Sequence, residues 1–304
     1  MSSKKNEFHK NRSSSETLPQ QSNAKFHYQA KKSLGQNFLT SRAVAQDIVA
    51  TARVATEDVV LEIGPGKGFL TEGLLQKAGK VIAVEKDVRM IAYLKDKFAS
   101  EIKDKKLELI SGDILSLELA DYGLLTTNYK LVANIPYYIT GEILRTFLSG
   151  DIQPSLMVLM VQKEVADRIV ARDGKESILS MSVRAYGTPR YIQKVPARYF
   201  SPKPKVDSAV LFIENISKNN FKNKKEEGWF FTVMKAGFSQ KRKMVRNTLS
   251  SKFNKENVGS ALKVCGILES MRAEKLNLPQ WQCLSNKIRT KEEGREMSQH
   301  PLQD

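Results

Sequence analysis

Histidine is scarce in this 304-residue chain. The only three, His9, His27 and His300, lie near the two ends of the sequence, where the composition predicts tails. This distribution argues against a Ser-His-Asp triad, a Cys-His pair or an HExxH zinc site within a folded domain. Any chemistry of the folded part is therefore expected to need neither an imidazole base nor a metal.

Cysteine and long apolar runs are scarce as well. Cys265 and Cys283 stand eighteen residues apart, and the chain has no other cysteine. That spacing matches no metal-binding pattern and favours two reduced, buried thiols in a reducing compartment. The sequence has no run of about 18 apolar residues, and its polar N-terminal segment lacks the apolar core of a secretory signal. We therefore predict a cytoplasmic protein without a membrane span.

Positive charge, in contrast, is abundant and concentrated. The net charge is +16; residues 1–35 hold seven Lys or Arg against two Glu, and residues 218–252 hold ten against two. Charge concentrated in this way favours a polyanionic partner such as nucleic acid. In the second segment, Lys241, Arg242, Lys243 and Arg246 predict a basic helix start that contacts phosphates. The alternative is a solvated basic face without a partner.

A predicted strand, a glycine-rich turn and a predicted helix follow one another early in the chain. The apolar run at 59–63 is followed directly by Gly-Pro-Gly-Lys-Gly at 64–68. Glycines let a ligand approach the backbone closely, and the next helix presents free N–H groups at its start. The dinucleotide fingerprint GxGxxG would require a glycine at Phe69, whereas the third glycine is Gly68. The spacing therefore disfavours NAD.

Acidic residues come at the ends of the next two predicted strands. Glu85 follows an apolar run at 81–84, and Asp113 comes just after a run at 107–110. An acid at the tip of the second strand is placed to accept both hydroxyls of a ribose. A carboxylate at the tip of the third strand can accept a hydrogen bond from an adenine amine. At each position an exposed strand-end carboxylate is the alternative.

The segment 131–138 reads Leu-Val-Ala-Asn-Ile-Pro-Tyr-Tyr and predicts a strand that ends in a rigid turn. Pro136 stiffens this turn because it fixes φ and removes one N–H. The Asn134 side-chain oxygen and the Ile135 carbonyl could accept both hydrogens of an exocyclic amine, and Tyr137 offers a face for a planar base. The segment suits a nucleobase amino group; the alternative is a β-turn with a satisfied asparagine.

Seven strand-like runs with helical patterns between them predict an open α/β sheet that ends near residue 217. The Pro-rich segment 195–204 predicts an extended loop without strand pairing, and its Phe200 either packs in the core or closes on a base opposite Tyr137. Beyond a charged linker at 218–227 the pattern becomes helical. We predict a disordered basic arm at 1–30, an α/β domain at 31–217, a helical RNA-binding domain at 218–290 and a disordered tail at 291–304.

Six motifs, taken in order along residues 31–288, closely resemble those of the ribosomal RNA adenine dimethyltransferase family. They are Gly35-Gln36-Asn37-Phe38-Leu39, Glu62-Ile63-Gly64-Pro65-Gly66, Asn134-Ile135-Pro136-Tyr137, Gln162-Lys163-Glu164, Phe200 to Ser208 and Phe238 to Leu249. The resemblance implies a Rossmann-like class I methyltransferase fold, with a seven-stranded α/β sheet and a small C-terminal helical domain. It also implies N6,N6-dimethylation of two adjacent adenosines in the 3′-terminal hairpin loop of small-subunit (16S) rRNA, during ribosome biogenesis.

The resemblance further implies which residues bind cofactor, base and RNA. The S-adenosylmethionine site would be formed by Asn37, Leu39, Gly64, Glu85, Asp113 and Asn134, without a metal. The target base would be held by Asn134, Ile135, Pro136, Tyr137 and Phe200. The expected partner is small-subunit rRNA in the pre-30S particle, bound by a monomer through Lys241, Arg242, Lys243 and Arg246.

Two residues depart from the family pattern, since Ile135 replaces the usual Leu and Tyr138 replaces an expected Asn. Ile135 is the residue of a sister group, the macrolide-resistance methyltransferases of large-subunit rRNA, which are one alternative. A non-catalytic RNA-binding assembly factor on the same fold is another. The Gly-Pro-Gly turn, the basic segment at 241–243 and Met-Arg-Ala-Glu at 271–274 favour the small-subunit enzyme.

Overall fold

The strands of the protein follow the apolar runs of its sequence. The computed structural model describes residues 30–31, 34–124 and 128–299, with side chains up to residue 289. The described residues form nine strands: β1 Phe38–Leu39, β2 Val59–Ile63, β3 Lys80–Glu85, β4 Leu107–Ser111, β5 Tyr129–Asn134, β6 Leu156–Gln162, β7 Thr188–Val195, β8 Phe200–Ser201 and β9 Ser208–Glu214. All three histidines and nearly all of the predicted N-terminal arm lie outside the described residues.

Seven of these strands form one sheet, in the order β4-β3-β2-β5-β6-β9-β7. Strand β9 runs antiparallel to both β6 and β7, and the remaining neighbours are parallel. The predicted seven-stranded α/β sheet is therefore confirmed. Because β2, β3, β4 and β5 are parallel, their carboxyl ends meet at one edge, where open α/β sheets bind ligands.

Helices cover the sheet and form the C-terminal region. The described residues contain eleven α-helices: α1 Arg42–Thr51, α2 Phe69–Leu75, α3 Val88–Lys97, α4 Ala99–Lys103, α5 Thr140–Ser149, α6 Lys163–Ile169, α7 Ile178–Arg184, α8 Lys224–Gly237, α9 Val245–Ser250, α10 Lys255–Val264 and α11 Leu278–Gln299. Ser41 caps α1, since its side chain accepts the N–H of Val44. No helix in the described ranges combines the length and apolar character needed to span a bilayer.

The sheet is buried on both faces because successive strand residues point to opposite sides. In β2, Val60 packs with helices α1, α2 and α3 on one face, while Leu61 packs into the cluster on the other. That second cluster continues into the C-terminal helices, where Phe230 and Trp281 are both about fully buried. The helical region and the sheet thus share apolar packing.

The prediction of an unpaired loop at 195–204 is wrong at three residues. Val195 ends β7 and pairs with Ser208 of β9. Phe200 and Ser201 form β8, which pairs antiparallel with β1 in the register Leu39 to Phe200. Both residues lie between prolines and not at one, so their backbone groups are free to pair. A hydrogen bond of 2.8 Å from the Thr40 N–H to the Tyr199 carbonyl extends the pairing. This small ladder ties the N-terminal loop to the sheet.

The C-terminal region also differs from the sequence prediction at its ends. Helix α8 begins inside the predicted linker because the Asn223 side chain accepts the N–H of Glu226 at 2.9 Å and caps the helix. Helix α11 continues to Gln299 and so occupies most of the predicted tail. Residues 300–304 lie outside the described part.

The prediction of two reduced, buried thiols is contradicted. Cys265 and Cys283 form a disulfide, with their Cα atoms 5.8 Å apart, and both residues are half-buried. Cys265 caps the end of α10, which packs against α11, so tertiary packing brings the two residues within bridging distance. Sequence spacing alone does not reveal this contact.

Candidate active site

A cavity of about 290 Å³ lies at the sheet edge where β2, β3, β4 and β5 end. Eight of the residues predicted to bind cofactor or base line this cavity: Asn37, Gly64, Glu85, Asp113, Asn134, Ile135, Pro136 and Tyr137. They come from four strand ends and the N-terminal loop. The parallel sheet therefore assembles residues that are up to 100 positions apart in sequence, counted from 37 to 137.

The glycine turn after β2 forms one wall of the cavity. Gly64 and Gly66 have φ of +68° and +56°, in the left-handed region that favours glycine. A Cβ atom on Gly66 would come within 2.9 Å of the Phe38 ring, whereas a Cβ on Gly64 would meet only the Asn134 carbonyl, at 3.9 Å. The turn thus packs tightly against the N-terminal loop at Gly66 and leaves open space at Gly64 for a ligand.

Glu85 ends β3 directly beneath this turn and is 6% exposed. Its Oε2 accepts the Gly66 N–H at 3.1 Å, and its Oε1 accepts the Asp87 N–H at 2.8 Å. Burial raises the pKa of Glu85, while these two backbone bonds stabilise the ionised form and oppose that shift. The side chain is held as an acceptor, which fits the two hydroxyls of a ribose.

Asp113 lies beyond β4 and is held by an ion pair. Its Oδ2 accepts the Lys86 Nζ at 2.7 Å and its Oδ1 accepts the Leu115 N–H at 3.1 Å. The bond from Lys86 is the main cause of the lowered pKa of Asp113. The carboxylate is therefore a charged acceptor at the mouth of the cavity, suited to an adenine amine.

Asn134 ends β5, and its side chain is oriented by the N-terminal loop. Its Nδ2 donates to the Asn37 carbonyl at 3.2 Å, which leaves Oδ1 as the acceptor available to a ligand. The Asn37 side chain in turn donates to the Gly35 carbonyl at 3.2 Å. Pro136 follows with φ of −57°, and the Ile139 N–H donates to its carbonyl at 3.2 Å. The turn is thus rigid, as predicted.

Tyr137 presents its ring to the cavity and its hydroxyl to the protein interior. The hydroxyl lies 2.7 Å from the Oγ of Ser208, at the start of β9. Ser208 is fully buried, and burial raises the pKa of Tyr137. The ring is therefore fixed by its own hydroxyl, as a stacking surface requires.

Two predicted site residues lie elsewhere. Phe200 is 4% exposed and Leu39 is 5% exposed, and both belong to the core cluster with α1 and α2; neither lines the cavity. Their pairing across β1 and β8 turns both side chains into the core. In this arrangement both side chains pack behind the cavity wall, and their predicted roles at the base and the cofactor stay predictions.

Gln36, Lys86 and Tyr138 are among the cavity residues that were not predicted as ligands. Gln36 donates to the Oδ2 of Asp87 at 3.0 Å and so fastens the N-terminal loop across the cavity. Lys86 pairs with Asp113, and Tyr138, 62% exposed, packs its ring near Gly35. Of the three, only Gln36 belongs to one of the six motifs found in the sequence.

The predicted RNA-binding residues lie on the C-terminal helical region. Lys241, Arg242 and Lys243 are exposed, but they occupy the turn between α8 and α9 and not a helix start. The chain turns there because α8 ends at Gly237. Arg246, in α9, is half-buried and paired with Glu269. Three cations of the four are therefore presented to solvent.

The cavity fits S-adenosylmethionine in the chemistry of its groups. Glu85 and Asp113 would accept the ribose hydroxyls and the adenine amine, and the open side of Gly64 leaves room near the Asn134 carbonyl. Ile114 and Leu115 add apolar surface for a purine. Among the described residues, no group of three or more His, Cys, Asp or Glu could hold a metal ion.

Comparisons with known proteins agree with this geometry. The family model "Ribosomal RNA adenine dimethylase" matches residues 27–290. A relative named "Ribosomal RNA small subunit methyltransferase A", from Dehalococcoides mccartyi, is 41% identical over 257 residues, which cover 84% of this chain and 87% of the relative.

Solved structures resemble the chain over a similar span. The 23S rRNA methyltransferase ErmE aligns with a TM-score of 0.69 and 25% identity, covering 83% of this chain and all of that one. A dimethyladenosine transferase from Plasmodium falciparum aligns with a TM-score of 0.69 and 24% identity, covering 84% of this chain and 98% of that one. With its fold, its cavity and its match over most of the sequence, the chain belongs to the ribosomal RNA adenine dimethylase family.

Proposed function

We propose that the protein uses S-adenosylmethionine to dimethylate the N6 atoms of two adjacent adenosines in the 3′-terminal hairpin loop of small-subunit rRNA. The observation that supports this most directly is the orientation of Asn134. Its Nδ2 donates to the Asn37 carbonyl, so its Oδ1 is left as an acceptor, and Asn134 lines the same cavity as Glu85 and Asp113. An amine acceptor thus lies beside a cofactor site.

The chemistry proposed for the site is positioning and electrostatics. The cofactor, when bound, supplies an electrophilic methyl group on a sulfonium. The adenine N6 lone pair is delocalised into the ring, so the amine is a weak nucleophile. Hydrogen bonds from N6 to the Asn134 Oδ1 and the Ile135 carbonyl would favour a more tetrahedral nitrogen and hold it in line. The released proton passes to water, which agrees with the absence of histidine between residues 27 and 300.

The Tyr137 ring would hold the base once it leaves its stack. Such a contact contributes about 1 to 3 kcal/mol per base, and the target must be flipped out or already lie in a loop. The hydroxyl bond to Ser208 fixes the ring plane before the base arrives. Phe200, buried behind the loop, would support this arrangement without touching the base.

The large-subunit enzyme is the alternative that Ile135 suggests. The small-subunit relative shares 41% identity with this chain, against 25% for ErmE. That difference favours small-subunit rRNA as the substrate. We infer in addition that the protein acts as a monomer on the pre-30S particle in the cytoplasm, with Lys241, Arg242 and Lys243 contacting phosphates.

The test is methyl transfer from labelled S-adenosylmethionine to small-subunit particles from cells that lack the enzyme. We expect two dimethyladenosines in the 3′-terminal hairpin loop, identified by mass spectrometry of RNA fragments. Large-subunit RNA, offered in parallel, should stay unlabelled; label there would favour the macrolide-resistance alternative. Binding of the particle without transfer would favour the assembly factor.

Replacement of Asn134 by Ala gives the matched test of mechanism. The variant should lose most turnover, because removing a donor or acceptor aimed at the transition state costs about 2.7 to 4 kcal/mol, or roughly 100- to 1000-fold in rate. Particle binding, measured by filter retention, should remain. Unchanged turnover in this variant would rule out the proposed role of the amide.

A further inference from the structure

A second carboxylate lies next to the cofactor site and has no part in the proposed chemistry. Glu62 belongs to β2, two residues before Gly64, and is 1% exposed. Its neighbour on β3 is Ala83, so Glu85, two residues further along β3, points to the same face of the sheet. Two carboxyl groups therefore share one buried region beneath the glycine turn.

Hydrogen-bond donors are divided unequally between the two acids. Glu85 receives the backbone N–H groups of Gly66 and Asp87. In contrast, the Oε2 of Glu62 has no hydrogen-bond partner among the described residues, and the donor that lowers the pKa of Glu62 is a neutral side chain, the hydroxyl of Thr71. Backbone donors stabilise a carboxylate, and their absence disfavours one.

The charges around Glu62 also disfavour its ionisation. The charged groups that act on it are Glu85 from β3 and Lys97 from α3; the hydroxyl of Thr71, from α2, lowers the pKa of Glu62 but by less than burial raises it. Lys97 is already engaged, because its Nζ donates to the Lys67 carbonyl at 2.9 Å and pairs with Glu72 at 3.1 Å. Burial, with a smaller contribution from Glu85, raises the pKa of Glu62 to about 8. Burial and the neighbouring Glu85 therefore favour the protonated form of Glu62.

We propose that Glu62 is a positioning residue for cofactor binding, which retains one proton so that Glu85 stays the ionised acceptor beneath the glycine turn. The inference rests on the proposed function, because it takes the ribose of S-adenosylmethionine as the ligand of Glu85. When Glu62 releases its proton to solvent, a second negative charge without backbone donors lies beside Glu85. That charge requires hydration, which the closed glycine turn excludes and a bound cofactor would exclude further.

Affinity for the cofactor should therefore fall as Glu62 ionises. Binding that requires one protonated group weakens by at most about tenfold per pH unit above the pKa of that group. The opposite sign is also conceivable, since an ionised Glu62 would attract the positive sulfonium. S-adenosylhomocysteine lacks the sulfonium charge, so an ionised Glu62 would not attract it in this way. A loss of affinity that is seen with both ligands therefore reports the hydration cost of the ionised carboxylate.

The experiment measures the Kd of S-adenosylmethionine and of S-adenosylhomocysteine by calorimetry, from about pH 6 to about pH 9. Native protein is compared with Glu62→Gln, which resembles the neutral acid, and with Glu108→Gln as control. Glu108 is a partly exposed carboxylate of the same sheet, paired with Lys80. For both ligands, native affinity should fall above about pH 8; Glu62→Gln should lack this step and Glu108→Gln should retain it.

Infrared spectroscopy tests the proton directly in the native protein, even if the variant does not fold. A carboxylic-acid C=O band should be present at neutral pH, disappear above about pH 8 and be absent in Glu62→Gln. A missing band, an identical pH profile in Glu62→Gln, or tighter binding at high pH would overturn the inference. If no protein binds either ligand at any pH, the proposed function fails, and the band still decides the state of Glu62.

Discussion

At the scale of single residues, hydrogen bonds fix the orientation of the polar side chains in the cavity. The Asn134 amide has its direction set by the Asn37 carbonyl, and the Glu85 carboxylate by two backbone N–H groups. Groups held in this way need no reorganisation when a ligand arrives, which is the basis of electrostatic catalysis. The functional atoms are therefore prepared by backbone groups from elements distant in sequence.

Tyr137 offers a residue-level prediction, because its ring and hydroxyl have separate partners. Tyr137→Ala removes the ring and should lower methyl transfer by about 5- to 150-fold, the equivalent of about 1 to 3 kcal/mol of stacking. Tyr137→Phe keeps the ring and should lose less than about tenfold, since a net hydrogen bond contributes about 1 kcal/mol. Single-turnover rates measure both. Equal losses in the two variants would show that the hydroxyl, and not the ring, is required.

The residue types in the sequence predicted which strand ends line the cavity better than they predicted which side chains are buried in the core. Glu85, Asp113 and Asn134 were identified because each follows an apolar run, and parallel strands bring their ends to one edge. Phe200 and Leu39 pack in the core and do not line the cavity, because their direction depends on a two-residue ladder between distant segments. A two-residue ladder is too short to show the alternation of apolar and polar residues by which a strand is recognised in a sequence.

At the scale of elements, the loop 34–37 covers the cavity and is fastened at two strand ends. Gln36 reaches Asp87 beyond β3, and the Asn37 carbonyl accepts from Asn134 at the end of β5. The ladder between β1 and β8 anchors the loop from its other side. The loop and the sheet edge thus form one binding unit, so the affinity for cofactor should depend on the loop's attachment.

Gln36→Ala tests this dependence. Hydrogen bonds to charged groups contribute about 1.5 to 3 kcal/mol, so the loosened loop should weaken S-adenosylmethionine binding by roughly tenfold or more. Thermal stability should change little, because Gln36 lies outside the core. The exposed Gln76 at the end of α2 supplies a matched control, Gln76→Ala, with native affinity. Native affinity in Gln36→Ala would contradict a closing role for the loop.

The disulfide between the end of α10 and α11 gives a second element-level prediction. A bridge that closes a loop of this length restricts the unfolded chain by about 3 kcal/mol, so a reductant should lower the melting temperature of the native protein. The double variant Cys265→Ser, Cys283→Ser should melt lower and show no response to reductant. Cofactor affinity should be unchanged in both cases, because the bridge lies outside the cavity. A native melting temperature that reductant leaves unchanged would contradict this role.

At the scale of the whole molecule, much of the excess positive charge lies in a different part of the sequence from the residues that line the cavity. The cavity is lined by acids as well as by Lys86, whereas residues 218–252 hold ten Lys or Arg against two Glu. Within that segment, Arg246 is paired with Glu269, but Lys241, Arg242 and Lys243 extend from an exposed turn. A division of this kind would let the helical region bind the RNA backbone while the sheet edge selects a base, as proposed above.

The charge pattern in the sequence identified the basic residues 241–243 but not their secondary structure. The basic run indicated a helix start, whereas the residues lie in the turn that joins α8 to α9. A turn presents successive side chains in different directions, so three cations can contact separate phosphates. A helix would place adjacent residues about 100° apart around one axis. The prediction that these residues contact RNA therefore does not depend on their forming a helix.

Replacing Lys241, Arg242 and Lys243 with Gln should weaken RNA binding and flatten its salt dependence. Each lost phosphate contact lowers the slope of log K against log salt by about 0.7 to 0.9, so three contacts predict a change of about 2 to 3. The slope is measured by fluorescence anisotropy with a small-subunit rRNA fragment.

A matched control separates this local effect from net charge. Lys95, Lys103 and Lys105 are exposed on α3, α4 and the turn that follows them, and their replacement with Gln removes the same total charge. Counterion release depends on phosphates contacted and not on overall charge, so the control should keep the native slope. Equal slopes in the two triple variants would mean that the basic turn does not contact RNA. The charge would then act only at long range, by steering the encounter.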